Sequence, residues 1–249
     1  MANLWSYVFW TYPIVFVCSI PLTLVLKQYN GIAAKWIFVR FLEQFAVRNL
    51  GYTWFTLLFW SNLLLYRTSA GIERKILIRF AKVYLINTVV IVFLMEWFFG
   101  SPIFERISVF SGAHCTIDSI YREYACEGAG GEWMGGFDSS SHYLFLISSS
   151  LLIWYELINH LSFPYSVSSP YNFLPSIDIE RGYPNERQDV AGGTSYTRTI
   201  IIVSSSVFIS LWFCSYLITS IFFHTIPEKI VGLFCGLFVP TLLPILDKI

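Results

Sequence analysis

Six runs of mainly apolar residues recur along this chain, at about 8–26, 50–66, 83–99, 142–161, 199–223 and 230–246. About 20 helical residues cross the hydrocarbon core of a bilayer. No water is present there to satisfy a backbone N–H or C=O, and irregular backbone cannot face lipid, so such runs are expected to be helices. Composition removes the soluble alternative: 55% of the chain is apolar and only 13% charged, where a soluble domain carries about a quarter charged residues. The expected fold is an all-α integral membrane protein, a six-transmembrane helical bundle forming a single polytopic domain over residues 1–249. A formal net charge of zero argues against a nucleic-acid partner. The first run has no basic flank and no small-residue cleavage site, and reads as an uncleaved anchor.

An even number of spans puts both termini on one side. The loop 67–82 holds Arg67, Arg74, Lys75, Arg79 and Lys82, which marks it and both termini as cytosolic by the positive-inside rule. The loop 100–141 is acidic, with Glu105, Asp118, Glu123, Glu127, Glu132 and Asp138 against Arg106 and Arg122, and suits the far side. One loop resists this assignment. The stretch between the first two runs is luminal by the count, yet carries Lys27, Lys35, Arg40 and Arg48. Its polar residues Arg40, Glu43, Gln44 and Arg48 recur at helical spacing among Trp36, Phe38, Phe41, Phe45 and Val47, the pattern of an amphipathic helix lying in the interface. The segment 162–198, rich in Ser, Pro, Tyr and Gly, reads as a cytosolic loop or partner-binding segment whose partner the sequence does not identify. Glu96 in the third run is a lone acid near the interface, either functional or simply solvated.

Two histidines fall at the ends of apolar runs on the same predicted face. Ahead of His142, Gly128, Gly130, Gly131, Gly135 and Gly136 permit sharp turns and close backbone approach to a ligand. They feed into Asp138, Ser139, Ser140 and Ser141, residues that cap helix N-termini. The fourth helix thus begins with free N–H groups and a positive dipole end, an arrangement suited to anions. The bland alternative is a capped helix after a flexible loop. At the other site His224 closes the fifth run, and Glu228 follows at i+4 beyond Pro227. If that turn is helical, Glu228 accepts from one ring nitrogen and leaves the other free as a nucleophile, the logic of a catalytic dyad. The alternative there is a pair of interface residues. His160 lies eighteen residues beyond His142, about 27 Å along a helix, and belongs to the opposite face. His114 has no motif around it. Cys115 and Cys126 share the acidic loop, where an oxidising lumen permits a disulfide; a zinc site with His114 and His142 lacks ligand spacing. Gly232-x-x-x-Gly236 is a helix-packing motif.

At these residues the chain resembles the fat storage-inducing transmembrane family of the endoplasmic reticulum, and its fungal members most. The resemblance rests on Cys126 with Gly130, Gly131, Trp133, Gly135, Gly136, Phe137, Asp138, Ser140 and His142, and on His224, Thr225, Glu228, Lys229, Gly232 and Gly236. The family has glycine where this chain has Ser141. The resemblance implies an acyl-CoA diphosphatase, distantly similar to lipid phosphate phosphatases, facing the lumen of the endoplasmic reticulum and serving lipid homeostasis and lipid-droplet formation. It would cleave fatty acyl-CoA to acyl 4′-phosphopantetheine and adenosine 3′,5′-bisphosphate, with the acyl chain between helices among membrane lipids. Carried over, His224 is the nucleophile, Glu228 its orienting partner and His142 the general acid, with no redox cofactor and no metal. The phosphatases' Lys/Arg motif is not found at its spacing here. Lys229 and the amides around Gly135, Gly136, Asp138, Ser140 and Ser141 are the candidates to hold phosphate. Two other readings stay open: a non-catalytic protein that binds and partitions diacylglycerol or triacylglycerol and needs no histidine, and a phosphatase for other lipid phosphates. The enzyme reading requires both histidines and loses activity as a nucleophile of pKa about 6.5 is protonated.

Overall fold

The computed structural model describes residues 2–67, 71–96, 102–162 and 186–247. Ten α-helices are found among them: α1 (Ala2–Leu26), α2 (Asn30–Ala33), α3 (Ile37–Phe41), α4 (Gly51–Asn62), α5 (Arg74–Ile91), α6 (Ile103–Phe110), α7 (Glu123–Gly128), α8 (Ser141–Ser162), α9 (Glu186–Phe222) and α10 (Ile226–Leu246). Five helices are long and apolar enough to cross a membrane: Leu4–Leu26, Arg74–Met95, Ser141–His160, Tyr196–Phe222 and Ile226–Leu246. The run at 50–66 is shorter than a full span, with twelve α-helical residues in α4 continued by the four-residue 3-10 turn Leu63–Tyr66.

Helix boundaries depart from hydropathy where charge or polarity continues a helix. α5 begins at Arg74, not near residue 83, so the basic residues read as a loop form its first turns. Arg79 can sit there because its guanidinium is matched: one nitrogen bonds the buried Glu156 of α8, and Nε donates to Asp247 at 2.7 Å. α9 begins at Glu186, so the segment read as a loop over 162–198 is in part helical; residues 163–185 lie outside the described residues. Residues 97–99 of the third run also lie outside them.

α8 is the hub. Of its apolar window 83% is buried, against 22–39% for the other four long helices, and it packs against α1, α4, α5, α9 and α10. Hydroxyl pairs tie the helices together, as intramembrane polar groups must find partners: Tyr12 with Ser150 at 2.6 Å, and Tyr143 with Ser220 at 2.7 Å. The closest approach is between α8 and α10. A Cβ on Gly232 would stand 2.7 Å from the Ser140 carbonyl oxygen and from Tyr143 Cβ, and one on Gly236 would stand 2.8 Å from the Tyr143 carbonyl oxygen. The Gly232-x-x-x-Gly236 motif therefore does what its spacing predicts, seating α10 directly on the first turns of α8.

The acidic segment between α5 and α8 is not an open loop. α6, α7 and a two-residue antiparallel pair, His114–Cys115 with Trp133–Met134, give it a fixed shape. Cys115 and Cys126 are joined by a disulfide, which removes both thiols from any metal site. Gly136 holds φ of +73° and sits against the Ser108 carbonyl and Ala113, where no side chain fits.

Two outcomes test this architecture. Gly232→Ala is expected to destabilise the protein by about 1–3 kcal/mol through overpacking against the α8 backbone, read as a lowered unfolding temperature in detergent. Alkylation of the denatured chain should add three groups without reductant, at Cys18, Cys214 and Cys235, and five after reduction.

Candidate active site

Both histidines sit at helix ends that α8 and α10 bring together. α8 starts as its sequence predicts: Ser140 is the cap, its Oγ accepting the Tyr143 N–H at 3.3 Å, and His142 follows in the first turn. α10 is started by a capping box. The Thr225 side chain accepts from the backbone N–H of Glu228, and Glu228 Oε2 accepts the Thr225 N–H at 2.5 Å. Between α9 and α10 the chain must reverse in very few residues. His224 makes that turn with φ of +59°, a left-handed conformation that a non-glycine residue holds only when its surroundings over-determine it.

The result is a ring-to-ring separation of 6.3 Å between the centroids of His142 and His224. His224 Nδ1 lies 3.3 Å from Asp138 Oδ2 and 3.9 Å from Glu228 Oε2. A carboxylate at Nδ1 fixes the proton there and leaves the lone pair on Nε2. Of the two carboxylates expected or found at this ring, Asp138 stands nearer to Nδ1 than Glu228 does. The i+4 argument assumed a helical turn; the turn is left-handed instead, and Glu228 spends its carboxylate on backbone, with Oε1 accepting the Asp138 N–H at 3.3 Å. Glu228 holds the two helix ends in register, and Asp138 faces the imidazole.

The other expected contacts divide. Ser140 is fully buried under Gly232, and Ser141 opens α8 next to His142. Gly135 and Gly136 turn towards residues 108–113 and pack the segment onto itself, which accounts for them without a ligand. Lys229 turns into the bundle. It is 1% exposed, and its Nζ donates to Thr23 Oγ1 at 2.8 Å and to the Ser220 carbonyl at 2.6 Å, inside the bundle. His160 lies at the far end of α8 against Tyr66, and His114 is exposed, as their positions suggested.

A cavity of about 80 Å³ opens beside the two rings. His142 and His224 line one part of it; Val39, Leu42, Glu43 and Val47 form one wall, and Ser215, Ile218 and Thr219 of α9 with Phe223 just beyond it form the other. The first wall is the stretch predicted as an amphipathic helix. It runs as α3 into a π-helical turn, Leu42–Arg48, whose carbonyls are displaced from α-helical partners. Indoles meet two of them: Trp54 Nε1 donates to Phe45 O at 3.2 Å and Trp212 Nε1 to Ala46 O at 2.8 Å. Arg48 ends this turn, next to Val47 of the cavity wall. Sequence reading assigned Arg48 only to an interface; its signal was a positive charge on a loop where the positive-inside rule expects few.

A helical polytopic membrane protein with two histidines converging at one end of an apolar cavity defines the class. The chain belongs to the fat storage-inducing transmembrane protein family, whose model matches residues 40–243. It is similar to a Schizosaccharomyces pombe protein named acyl-coenzyme A diphosphatase, 25% identical over 72% of this chain and 62% of that one. A Saccharomyces cerevisiae protein of the same enzyme name is 26% identical over 61% of this chain and 48% of its own length. One from Danio rerio is 29% identical over 45% and 34% respectively. The chain therefore covers less than two thirds of each relative. No solved structure matches it.

The two carboxylates are separable by stability. Glu228→Ala should cost about 0.5–2 kcal/mol through loss of the cap, whereas Asp138→Ala, whose side chain is 63% exposed, should stay within about 0.5 kcal/mol. Thermal unfolding of the two variants in detergent checks this.

Proposed function

We propose that this chain is an acyl-CoA diphosphatase, acting at the His142–His224 pair with Asp138 as orienter. The observation that carries the reading is the convergence of two imidazoles, 6.3 Å between centroids, at the end of an apolar cavity. That spacing admits a phosphoryl group between the rings and leaves both within reach of it. The relatives' enzyme name supplies the substrate class, and the apolar walls suit a fatty acyl chain leading to the phosphates. A protein that only partitioned diacylglycerol or triacylglycerol would have no use for a left-handed histidine held beside a second histidine.

In the proposed reaction, His224 Nε2 attacks one phosphorus of the diphosphate and the P–O bond of the anhydride breaks. His142 gives its proton to the departing phosphate oxygen. Water then attacks the phosphohistidine, with His142 taking the proton, and frees His224. Substrate plus one water yields acyl 4′-phosphopantetheine and adenosine 3′,5′-bisphosphate. Asp138 holds the Nδ1 proton and offsets the charge that His224 develops, and the backbone N–H groups at the start of α8 offset charge on the phosphate.

We place the site on the luminal face of the endoplasmic reticulum membrane, where it serves lipid homeostasis and lipid-droplet formation. The Cys115–Cys126 disulfide supports an oxidising compartment for the neighbouring segment. Six spans with cytosolic termini are consistent with the lengths. The twelve α and four 3-10 residues of 51–66 extend about 26 Å at 1.5 and 2.0 Å per residue, close to the roughly 27 Å core of that membrane.

Purified protein in detergent should release adenosine 3′,5′-bisphosphate from oleoyl-CoA. His224→Ala and His142→Ala should each lose at least about 10²-fold in kcat while unfolding at the wild-type temperature. Full activity in either folded variant would sink the two-histidine mechanism, and no release by folded wild type would sink the activity.

A further inference from the structure

Lys229 is buried inside the bundle, and the reaction as described does not use it. Its surroundings show what it holds. Near the end of a helix the carbonyls lose their helical donors. At the end of α9 the Phe223 N–H still reaches the Thr219 carbonyl, at 3.2 Å. The next carbonyl, that of Ser220, would take the His224 N–H if the helix ran on. It accepts Lys229 Nζ instead, at 2.6 Å. Thr23 Oγ1 of α1 stands 2.8 Å from the same oxygen and 2.8 Å from Nζ, so three polar atoms close a triangle. All three residues are buried, Ser220 completely. The triangle joins α1, α9 and α10 about one turn before His224.

We infer that Lys229 is a positioning residue for His224: by capping the end of α9 it sets the left-handed turn that presents the imidazole to Asp138. The inference rests on the diphosphatase reading above. α9 ends at Phe222 and α10 is capped by Thr225, so Phe223 and His224 alone make the reversal. A histidine holds φ of +59° only where the segments on both sides of it are fixed. Glu228 and the glycine contact fix the α10 side. The Ser220 carbonyl fixes the α9 side. A carbonyl oxygen has two lone pairs; Nζ and Oγ1 occupy them, and the His224 N–H is kept from closing a further turn. Lysine suits the task. Its donors, at the end of a flexible stem, reach back from the start of α10, and its charge meets the negative end of the α9 dipole. The same serine is held from α8 as well, its hydroxyl accepting the Tyr143 O–H at 2.7 Å. His142 directly precedes Tyr143, so both imidazoles are referred to one residue of α9.

A double-mutant cycle decides the point, with full-length protein in detergent and oleoyl-CoA as substrate. Lys229→Met fills the same space without the donors. It is expected to fold, as read by its unfolding temperature, and to lose about tenfold or more in kcat, as a displaced reacting group does. Asp138→Ala should lower kcat about tenfold in wild type but less than about twofold in Lys229→Met, because a released imidazole no longer faces the carboxylate and groups acting as one unit are not additive. A lysine that served only the stability of the bundle would leave the Asp138→Ala factor equal in both backgrounds. If Lys229→Met does not fold, Thr23→Val takes its place in the cycle, since it removes the other polar atom on the Ser220 carbonyl; a loss of about threefold is expected there. Wild-type kcat in the folded variant, or an equal Asp138→Ala factor in both backgrounds, overturns the positioning role and leaves the diphosphatase standing. Unchanged kcat on Asp138→Ala in wild type overturns the part given to Asp138 and this role with it. Wild type that cleaves no oleoyl-CoA overturns the diphosphatase and all that rests on it.

Discussion

The contact on which the site depends is the seating of α10 on the first turns of α8, without side chains between them. Lipid tails are as apolar as leucine, so helices in a bilayer gain little from hiding apolar surface from one another; close packing and hydrogen bonds hold them together. Gly232 and Gly236 let the α10 backbone meet Ser140, Tyr143 and Ile147 directly. Because Gly232 touches the cap of α8 and His142 lies two residues after that cap, the glycine contact fixes one imidazole. Because α10 starts about two turns before Gly232, after its cap Thr225, the same contact fixes the other.

Glu228 turns this packing into a fixed register of the two helix ends. Its carboxylate ties the Thr225 N–H that starts α10 to the Asp138 N–H that precedes α8. One side chain thereby joins the two strands of chain that enter the site, and Asp138 is left with its own carboxylate directed at His224. A single buried acid that bonds backbone leaves a second, exposed acid free of that task and beside the imidazole. At the opposite end of α8 the same economy appears in Glu156, whose burial is matched by Arg79 and Tyr66. Several polar groups deep in this protein are cross-links between helices.

The wall of the cavity is a departure from the regular helix. The π-turn Leu42–Arg48 displaces carbonyls from their α-helical partners, and Trp54 and Trp212 hold two of them from α4 and α9. This braces a stretch that carries both apolar and cationic residues, so one segment lines the greasy cavity with Val39, Leu42 and Val47 and a second, polar cavity with Arg40 and Arg48. Such bulges are frequent at functional sites because they re-aim side chains that a regular helix would place elsewhere.

Much of this protein is local and therefore legible in its residues. Apolar length requires helices, since hydrocarbon leaves backbone groups no other partners; Ser140 and Thr225 mark helix starts through bonds made within four residues; Gly232 and Gly236 announce a close helix contact. The two histidines were legible as a pair for the same reason, each lying at a helix end. What the sequence could not decide is which distant groups meet. Glu228 and Asp138 were both near in the chain to a candidate histidine, but with the left-handed turn at His224 the ring stands nearer to Asp138, ninety positions from Glu228, while Glu228 bonds backbone at both helix ends. Lys229 likewise turns into the bundle, onto Thr23 and the Ser220 carbonyl, because the direction a side chain takes from a helix depends on what that helix packs against. Sequence alone determined the helices and where they begin; tertiary structure decided which charges face the histidines, because Coulomb and hydrogen-bond partners are chosen by distance in space rather than along the chain.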